Sequence, residues 1–155
     1  MKLLDDCPEP AIQRILPASR ASAAHPLHDV EASRLIEQAA TAALPPHALM
    51  RRAGRAVARL ALAVAPHAQR IWVVAGPGNN GGDGLDAAIH LHQAGKTVHV
   101  SLLADSARLP ADAADALQRA RNAGVPISTP LSDGAEDWLP WPDSLGAHDL
   151  VIDAL

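Results

Sequence analysis

The sequence predicts an α/β fold built on a parallel sheet. Three observations carry this reading. Short, continuous apolar runs of strand length recur at 71–75, 97–103 and 149–153. Helical stretches alternate with them, and a glycine-rich loop joins the first run to the helix behind it. Such alternation, at roughly 25 residues per step, is the pattern of right-handed crossover units.

Each element has a local reason. Asp29 can cap a helix from Val30 to about Ala43, with Leu35, Ile36 and Ala39 on one face. Pro45 and Pro46 stop it and start a second helix, in which Leu49, Met50, Ala53, Val57, Leu60, Ala61 and Val64 recur at three- and four-residue steps. Arg51, Arg52, Arg55 and Arg59 fall between them, as a solvated face, a subunit contact within a homodimer or a phosphate clamp. Pro66 ends that helix. Ile71-Trp72-Val73-Val74-Ala75 is a strand buried on both faces. The glycine loop 76–84 leads into a helix from about Asp83 to Ala94, which Gly95 stops. A strand at Thr97 to Leu103 follows, then a helix opened by Pro110 that runs to about Ala123, then a short strand at Val125-Pro126-Ile127. Residues 128–147 read as loop, with Trp138 and Trp141 packing it onto the sheet, and Asp149 to Asp153 is the last strand. The expectation is a Rossmann-like three-layer α/β/α sandwich preceded by two helices, spanning residues 29–155. Residues 1–28 form a weakly ordered N-terminal arm. The chain stops directly after a core strand, at Ala154-Leu155, where open α/β sheets carry their ligands. It is therefore read as C-terminally incomplete.

Composition narrows the class. Of 155 residues, 48% are apolar and 19% charged, which is globular. Thirty-three are alanine and none is Phe or Tyr, so the core must come from close backbone approach and from Leu, Val and Ile. The formal net charge of −4 argues against a general nucleic-acid surface. No run approaches the about 18 apolar residues of a membrane-spanning helix. The acidic start, Asp5-Asp6, is unlike a secretory signal, so a cytoplasmic location is expected. Cys7 is the single cysteine and cannot form an internal bridge. His90 and His92 sit two apart on different faces of a helix and cannot chelate together, and His25 and His28 fall in the arm.

The chemistry lies in the loop Gly76-Pro77-Gly78-Asn79-Asn80-Gly81. It satisfies G-x-G-x-x-G between a strand and a helix, the context in which glycines let the backbone approach a phosphate. An ordinary tight turn would also gather glycines. Asp83 is either a plain first-turn helix acid, favoured by the macrodipole, or a group that faces a hydroxyl or ribose or orders the loop. Asn80 and Asp153 end neighbouring segments and could share a hard cation if their strands pair.

The extended run Gly76-Pro77-Gly78-Asn79-Asn80-Gly81-Gly82-Asp83-Gly84-Leu85 closely resembles the motif of the NAD(P)H-hydrate epimerase family, the YjeF N-terminal domain. Leu49-Met50-Arg51-Arg52-Ala53-Gly54 resembles that family's helix motif, with Arg51-Arg52 where many members carry an acid and Asn. Leu150-Val151-Ile152-Asp153-Ala154-Leu155 resembles its later strand motif. The resemblance implies interconversion of the R and S epimers of hydrated NADH or NADPH at C6 of the nicotinamide ring. It implies cofactor-binding roles for Asn79, Asn80, Gly81, Gly82 and Asp83, and a potassium ion (K+) held by Asn80 and Asp153. Asp83 and Asp153 are then the candidate catalytic carboxylates. Family members continue past this last motif with a glycine-bearing loop and a later Asp and Ser, positions this sequence does not contain. Many are fused to a kinase-like domain that dehydrates the S epimer with ADP or ATP.

Two other function classes compete. An NAD(P)-dependent oxidoreductase would use G-x-G-x-x-G and Asp105 beyond the second strand, but Pro77 and the Gly-Gly-Asp-Gly extension count against it. A non-catalytic nucleotide-binding or scaffold domain of the same fold would keep the loop and lose the chemistry. Absorbance of reduced nicotinamide separates the first from an epimerase, and an assay of epimer ratio separates the second.

Overall fold

A computed structural model describes residues 28–129 and 145–155. In order they form α1 (Val30–Ala43), α2 (Ala48–Val64), β1 (Arg70–Ala75), α3 (Asn79–Gln93), β2 (Thr97–Leu102), a 3-10 turn (Ser106–Arg108), α4 (Ala111–Asn122), β3 (Ile127–Ser128) and β4 (Leu150–Ala154). The chain divides into two units, Met1–Leu35 and Ile36–Leu155. The expected arm, save His28, and the loop bearing Trp138 and Trp141 lie outside the described residues, as do Cys7 and His25.

α1 begins where its cap requires. Asp29 accepts a hydrogen bond from the Ala32 amide through Oδ1 (2.8 Å) and from the Ser33 amide through its carbonyl (3.0 Å).

In the second unit the strands pair in the order β3-β2-β1-β4, all parallel. The α/β class with a parallel sheet preceded by two helices is therefore as expected. Alternate residues of β1 and β2, Ile71, Val73, Ala75, Val98, Val100 and Leu102, are buried on the face that meets α3. α3 is the central helix: it packs on β1, β2 and β4 and is flanked by α2 and α4. Leu85 and Leu91 bring two fully buried side chains to this contact, each stabilising the fold by about 1.5–3 kcal/mol. On the opposite face Trp72 donates from Nε1 to Ser101 Oγ (2.9 Å), and Val151 remains exposed.

Three expectations need correction. α3 starts at Asn79, one turn before Asp83, so the paired asparagines and the Gly-Gly-Asp-Gly run are helical and not loop. Burial against α2, α4 and the strands outweighs the poor helix propensity of the glycines. α2 presents Met50, Gly54, Ala58 and Ala61 to the core, while Leu60 and Val64 face outwards. The third strand lies at Ile127–Ser128, because Pro126 offers only its carbonyl, which accepts from Val100.

Candidate active site

The strand order reverses at β1. β2 and β3 lie on one side of it and β4 on the other, so the carboxyl ends of β1 and β4 frame a switch-point crevice, the usual ligand position of an open α/β sheet. Val74 pairs with Asp153 and Ala75 with Ala154, and the Gly76 amide extends the ladder to the Ala154 carbonyl (2.9 Å). The glycine segment and the last strand therefore meet side by side.

Asn80 and Asp153 are brought together there. Asn80 Nδ2 donates to the Leu155 carbonyl (2.8 Å), and Asp153 Oδ1 accepts from the Leu155 amide (3.1 Å). Both side chains thus grip the two backbone groups of one residue. The Asn80 carbonyl oxygen and the second Asp153 oxygen have no hydrogen-bond partner among the described residues. These are the oxygens a hard cation would use.

The glycines divide by task. A Cβ on Gly76 would meet the Leu155 backbone at 2.9 Å, and one on Gly81 would stand 2.1 Å from the Gly76 carbonyl oxygen. One on Gly82 would meet Met50 Cε at 2.6 Å and Ala113 Cα at 2.9 Å, and one on Gly84 would meet Ala154 Cβ at 2.6 Å. Gly81 and Gly82, expected to touch cofactor, are buried and packed against protein on their Cα side. Only their backbone can serve a ligand. Gly78, the residue before α3, has nothing within 4 Å of the same point, and open space there leaves room for a ligand. The amides of Asn79, Asn80 and Gly81 begin the helix without backbone partners, since the first such bond runs from the Gly82 amide to the Gly78 carbonyl. Exposed Asn79 and Asn80 flank them.

Asp83 sits in the second turn of α3 and is half-buried. Burial raises its pKa above the ordinary carboxylate value, and the charge of Asp86 raises it further. Asp86 was not singled out by sequence reasoning. It is fully buried and ion-paired with Arg119 of α4, with His90 Nε2 at 3.5 Å from its other oxygen. Arg119 also donates from Nε to Asp115 Oδ2 (2.7 Å), and Arg51 Nη2 approaches that oxygen at 3.9 Å. Burial works against the guanidinium of Arg119, but its bonds to Asp115 and Asp86 outweigh this and hold its pKa above the usual value. His47 Nδ1 lies 2.6 Å from Asp112 Oδ1 and was likewise missed. In sequence each of these groups reads as an ordinary surface charge of a helix. Their only early signal is spacing: Asp115 to Arg119 and Asp86 to His90 are helical neighbours.

Asp105, the acid available to an oxidoreductase, instead accepts from the Ala107 amide (2.9 Å) and caps the 3-10 turn. Among the described residues no three His, Cys, Asp or Glu side chains gather as a metal-ligand set.

Residues 46–155 match the family described as YjeF-related protein N-terminus. A bifunctional NAD(P)H-hydrate repair enzyme Nnr from Thermofilum pendens is 39% identical over 107 residues, covering 69% of this chain and 20% of that protein. An NAD(P)H-hydrate epimerase from Rhodopirellula baltica is 36% identical over 112 residues, covering 72% of this chain and 43% of the relative. The one from Bordetella pertussis strain Tohama I is 46% identical over 84 residues, covering 54% of this chain and 37% of the relative. The crystal structure of yeast ynu0 superposes with a TM-score of 0.58 at 26% identity, over 79% of this chain and 54% of the yeast chain. The chain thus spans between a fifth and about half of these proteins. With the glycine run and the Asp153 strand meeting at one crevice, the motif helix packed on the glycine run, and the match covering residues 46–155, the chain belongs to the YjeF-related N-terminal family.

Proposed function

We propose that this chain carries the epimerase site of an NAD(P)H-hydrate epimerase, interconverting the R and S epimers of hydrated NADH or NADPH. The observation that carries the reading is the Asn80 hydrogen bond to the Leu155 carbonyl, which ties the glycine segment to the Asp153 strand at the switch point. The names of the relatives support the same chemistry.

The substrate carbon bears a hydroxyl and is bonded to the ring nitrogen. The nitrogen lone pair expels the hydroxyl as a C=N bond forms, and a proton is delivered to the departing oxygen so that it leaves as water. Water then adds to either face of the planar carbon and gives up its proton. Asp83 is the acid in this scheme, because burial holds its carboxyl towards the protonated form. Exposed Asp153 supplies the negative field over the cation. Asn79, Asn80 and the amides of the first helical turn, including that of Gly81, hold the nucleotide, with Gly82 fixing the helix start.

Asn80 and Asp153 would also hold K+, since their free oxygens are hard donors, with backbone carbonyls and water to complete the shell. Bound there, K+ would fix the two side chains in place. The bifunctional name of the Thermofilum relative fits a parent protein in which this domain is fused to an ADP- or ATP-dependent dehydratase. A cytoplasmic, homodimeric protein completes the reading. The acidic balance favours no nucleic-acid partner, and no described helix is long and apolar enough to cross a membrane.

The test is chiral chromatography of S-hydrated NADPH incubated with the chain in labelled water. The R epimer should form faster than in buffer and carry solvent oxygen at C6. The rate should fall when potassium is replaced by choline and in Asp153→Asn. An epimer ratio that relaxes no faster than buffer would refute the assignment.

A further inference from the structure

A cleft of about 280 Å³ lies beside the start of α2, lined by Leu44, Pro45, Pro46, His47, Leu49 and Asp112 among others. Three observations single it out. His47 has φ 63°, the only positive φ outside glycine among the described residues. That conformation costs a non-glycine residue about 1–2 kcal/mol, so the position would suit glycine better unless the ring is used. The ring is held: Nδ1 meets Asp112 Oδ1 at 2.6 Å, across 65 residues of sequence. This leaves Nε2 as its remaining hydrogen-bonding atom, on a side chain still 28% exposed. Apart from His47, Asp112 and Thr41, whose hydroxyl donates to the Glu37 carbonyl (2.8 Å), the walls are aliphatic, with two adjacent prolines whose rings offer flat apolar faces.

The cleft also adjoins the nucleotide cradle. Met50 and Ala113, next in sequence to the lining residues Leu49 and Asp112, both pack against Gly82 in the first turn of α3. α2, α3 and α4 run side by side, so the cleft opens at the same end of the helices as the switch-point crevice.

We propose that this cleft is a second subsite, one that takes the adenine base of the dinucleotide substrate. It rests on the epimerase reading for the identity of the ligand, though not for the existence of the site. A purine is flat and matches the aliphatic walls. Its exocyclic amine is a donor for His47 Nε2, the acceptor of a neutral ring that gives its Nδ1–H to Asp112. The ring nitrogen beside the amine is an acceptor for the Leu49 amide, which has no backbone partner. The nicotinamide end then lies at Asn80 and Asp153, and the phosphates pass over the start of α3.

The test titrates adenosine 5′-monophosphate and, separately, nicotinamide mononucleotide into the chain, followed by calorimetry and by the His47 ring and backbone amide resonances. The adenylate should shift His47 and Leu49. Inosine 5′-monophosphate, which lacks the amine, should bind at least tenfold more weakly. His47→Gly removes the ring and relieves the backbone, so the protein should stay folded while adenylate affinity falls tenfold or more. Asp112→Asn should weaken adenylate and leave nicotinamide mononucleotide unchanged. Adenylate binding unaltered by His47→Gly, adenylate shifts confined to Asn79 and Asn80, or no adenylate binding at millimolar concentration would each overturn the subsite. Nicotinamide mononucleotide that fails to bind while the adenylate binds as described would leave the subsite standing and count against the epimerase reading instead.

Discussion

Asp83 is a carboxyl that the fold makes less comfortable as an anion. Burial and then the charge of Asp86 raise its pKa, and no cation among the described residues is paired with it. A carboxyl whose pKa rises on folding contributes stability that is fully present below its unfolded value, about 3.9, and is lost as pH rises through the folded value. At neutral pH Asp83 therefore weakens the native state. Asp83→Asn should melt higher than wild type at pH 7.5 and indistinguishably from it at pH 3, while epimerisation drops on the order of 10²-fold. Equal melting shifts at both pH values would show that burial places no penalty on this group. The residue itself was legible, because the Gly-Gly-Asp-Gly run has few other uses. Its environment was not, since Asp86 looks in sequence like any exposed helix acid.

At the scale of elements, the seam between α2, α3 and α4 shows what hydrophobic periodicity could and could not reveal. The spacing of Leu49, Met50, Val57, Leu60 and Val64 marked α2 as a helix, yet Leu60 and Val64 are 62% and 66% exposed. The side that packs is Met50, Gly54, Ala58 and Ala61, because small residues let α3 approach closely enough for Gly54 to rest on Asp86. A reading weighted by side-chain size looks past such a seam. It likewise takes Asn79 to Gly84 for a loop, since only neighbouring elements reveal that those glycines are packed. Two changes test the seam. A Cβ on Gly54 would stand 2.4 Å from Asp86 Cβ, so Gly54→Ala should destabilise by about 1–3 kcal/mol in urea titrations. Arg119→Ala leaves the buried Asp86 carboxylate with His90 alone beside it, at 3.5 Å, and should lose about 3–5 kcal/mol. Adding Asp86→Ala should recover part of that loss. A double variant no more stable than Arg119→Ala would mean the pair is not coupled.

At the scale of the whole molecule, alternation in the sequence was enough for a parallel sheet but silent on strand order. That β4 lies beside β1 and not β3 depends on contacts far apart in sequence. One of them is the two-bond pairing of Arg70 with Asp149, which joins the amino ends of β1 and β4 across 79 residues. The hydrogen bonds from Arg70, with help from the Gly146 amide, hold the Asp149 pKa below the ordinary value. Asp115 is lowered as well: burial opposes the shift, but the bond to Arg119 and the nearby cations prevail. His99, beside Ser128 Oγ at 3.0 Å, is pushed down by burial. All three shifts have one sign. Each group binds protons more readily unfolded than folded, so each contributes stability present above its unfolded pKa and lost as pH falls through its folded one. Loss should begin below about pH 6.5 from His99 and steepen below about pH 4 from Asp149 and Asp115. Unfolding free energies from urea titrations across this range should show both limbs. His99→Gln should flatten the upper limb alone, and Asp149→Asn should reduce the lower limb while loosening the β1–β4 pairing that assembles the crevice. In the second variant the Asn80 side-chain amide resonances should shift although Asn80 lies at the far end of the strands. If they do not move, the ion pair anchors only its own end of the sheet and the crevice is held by α3 alone.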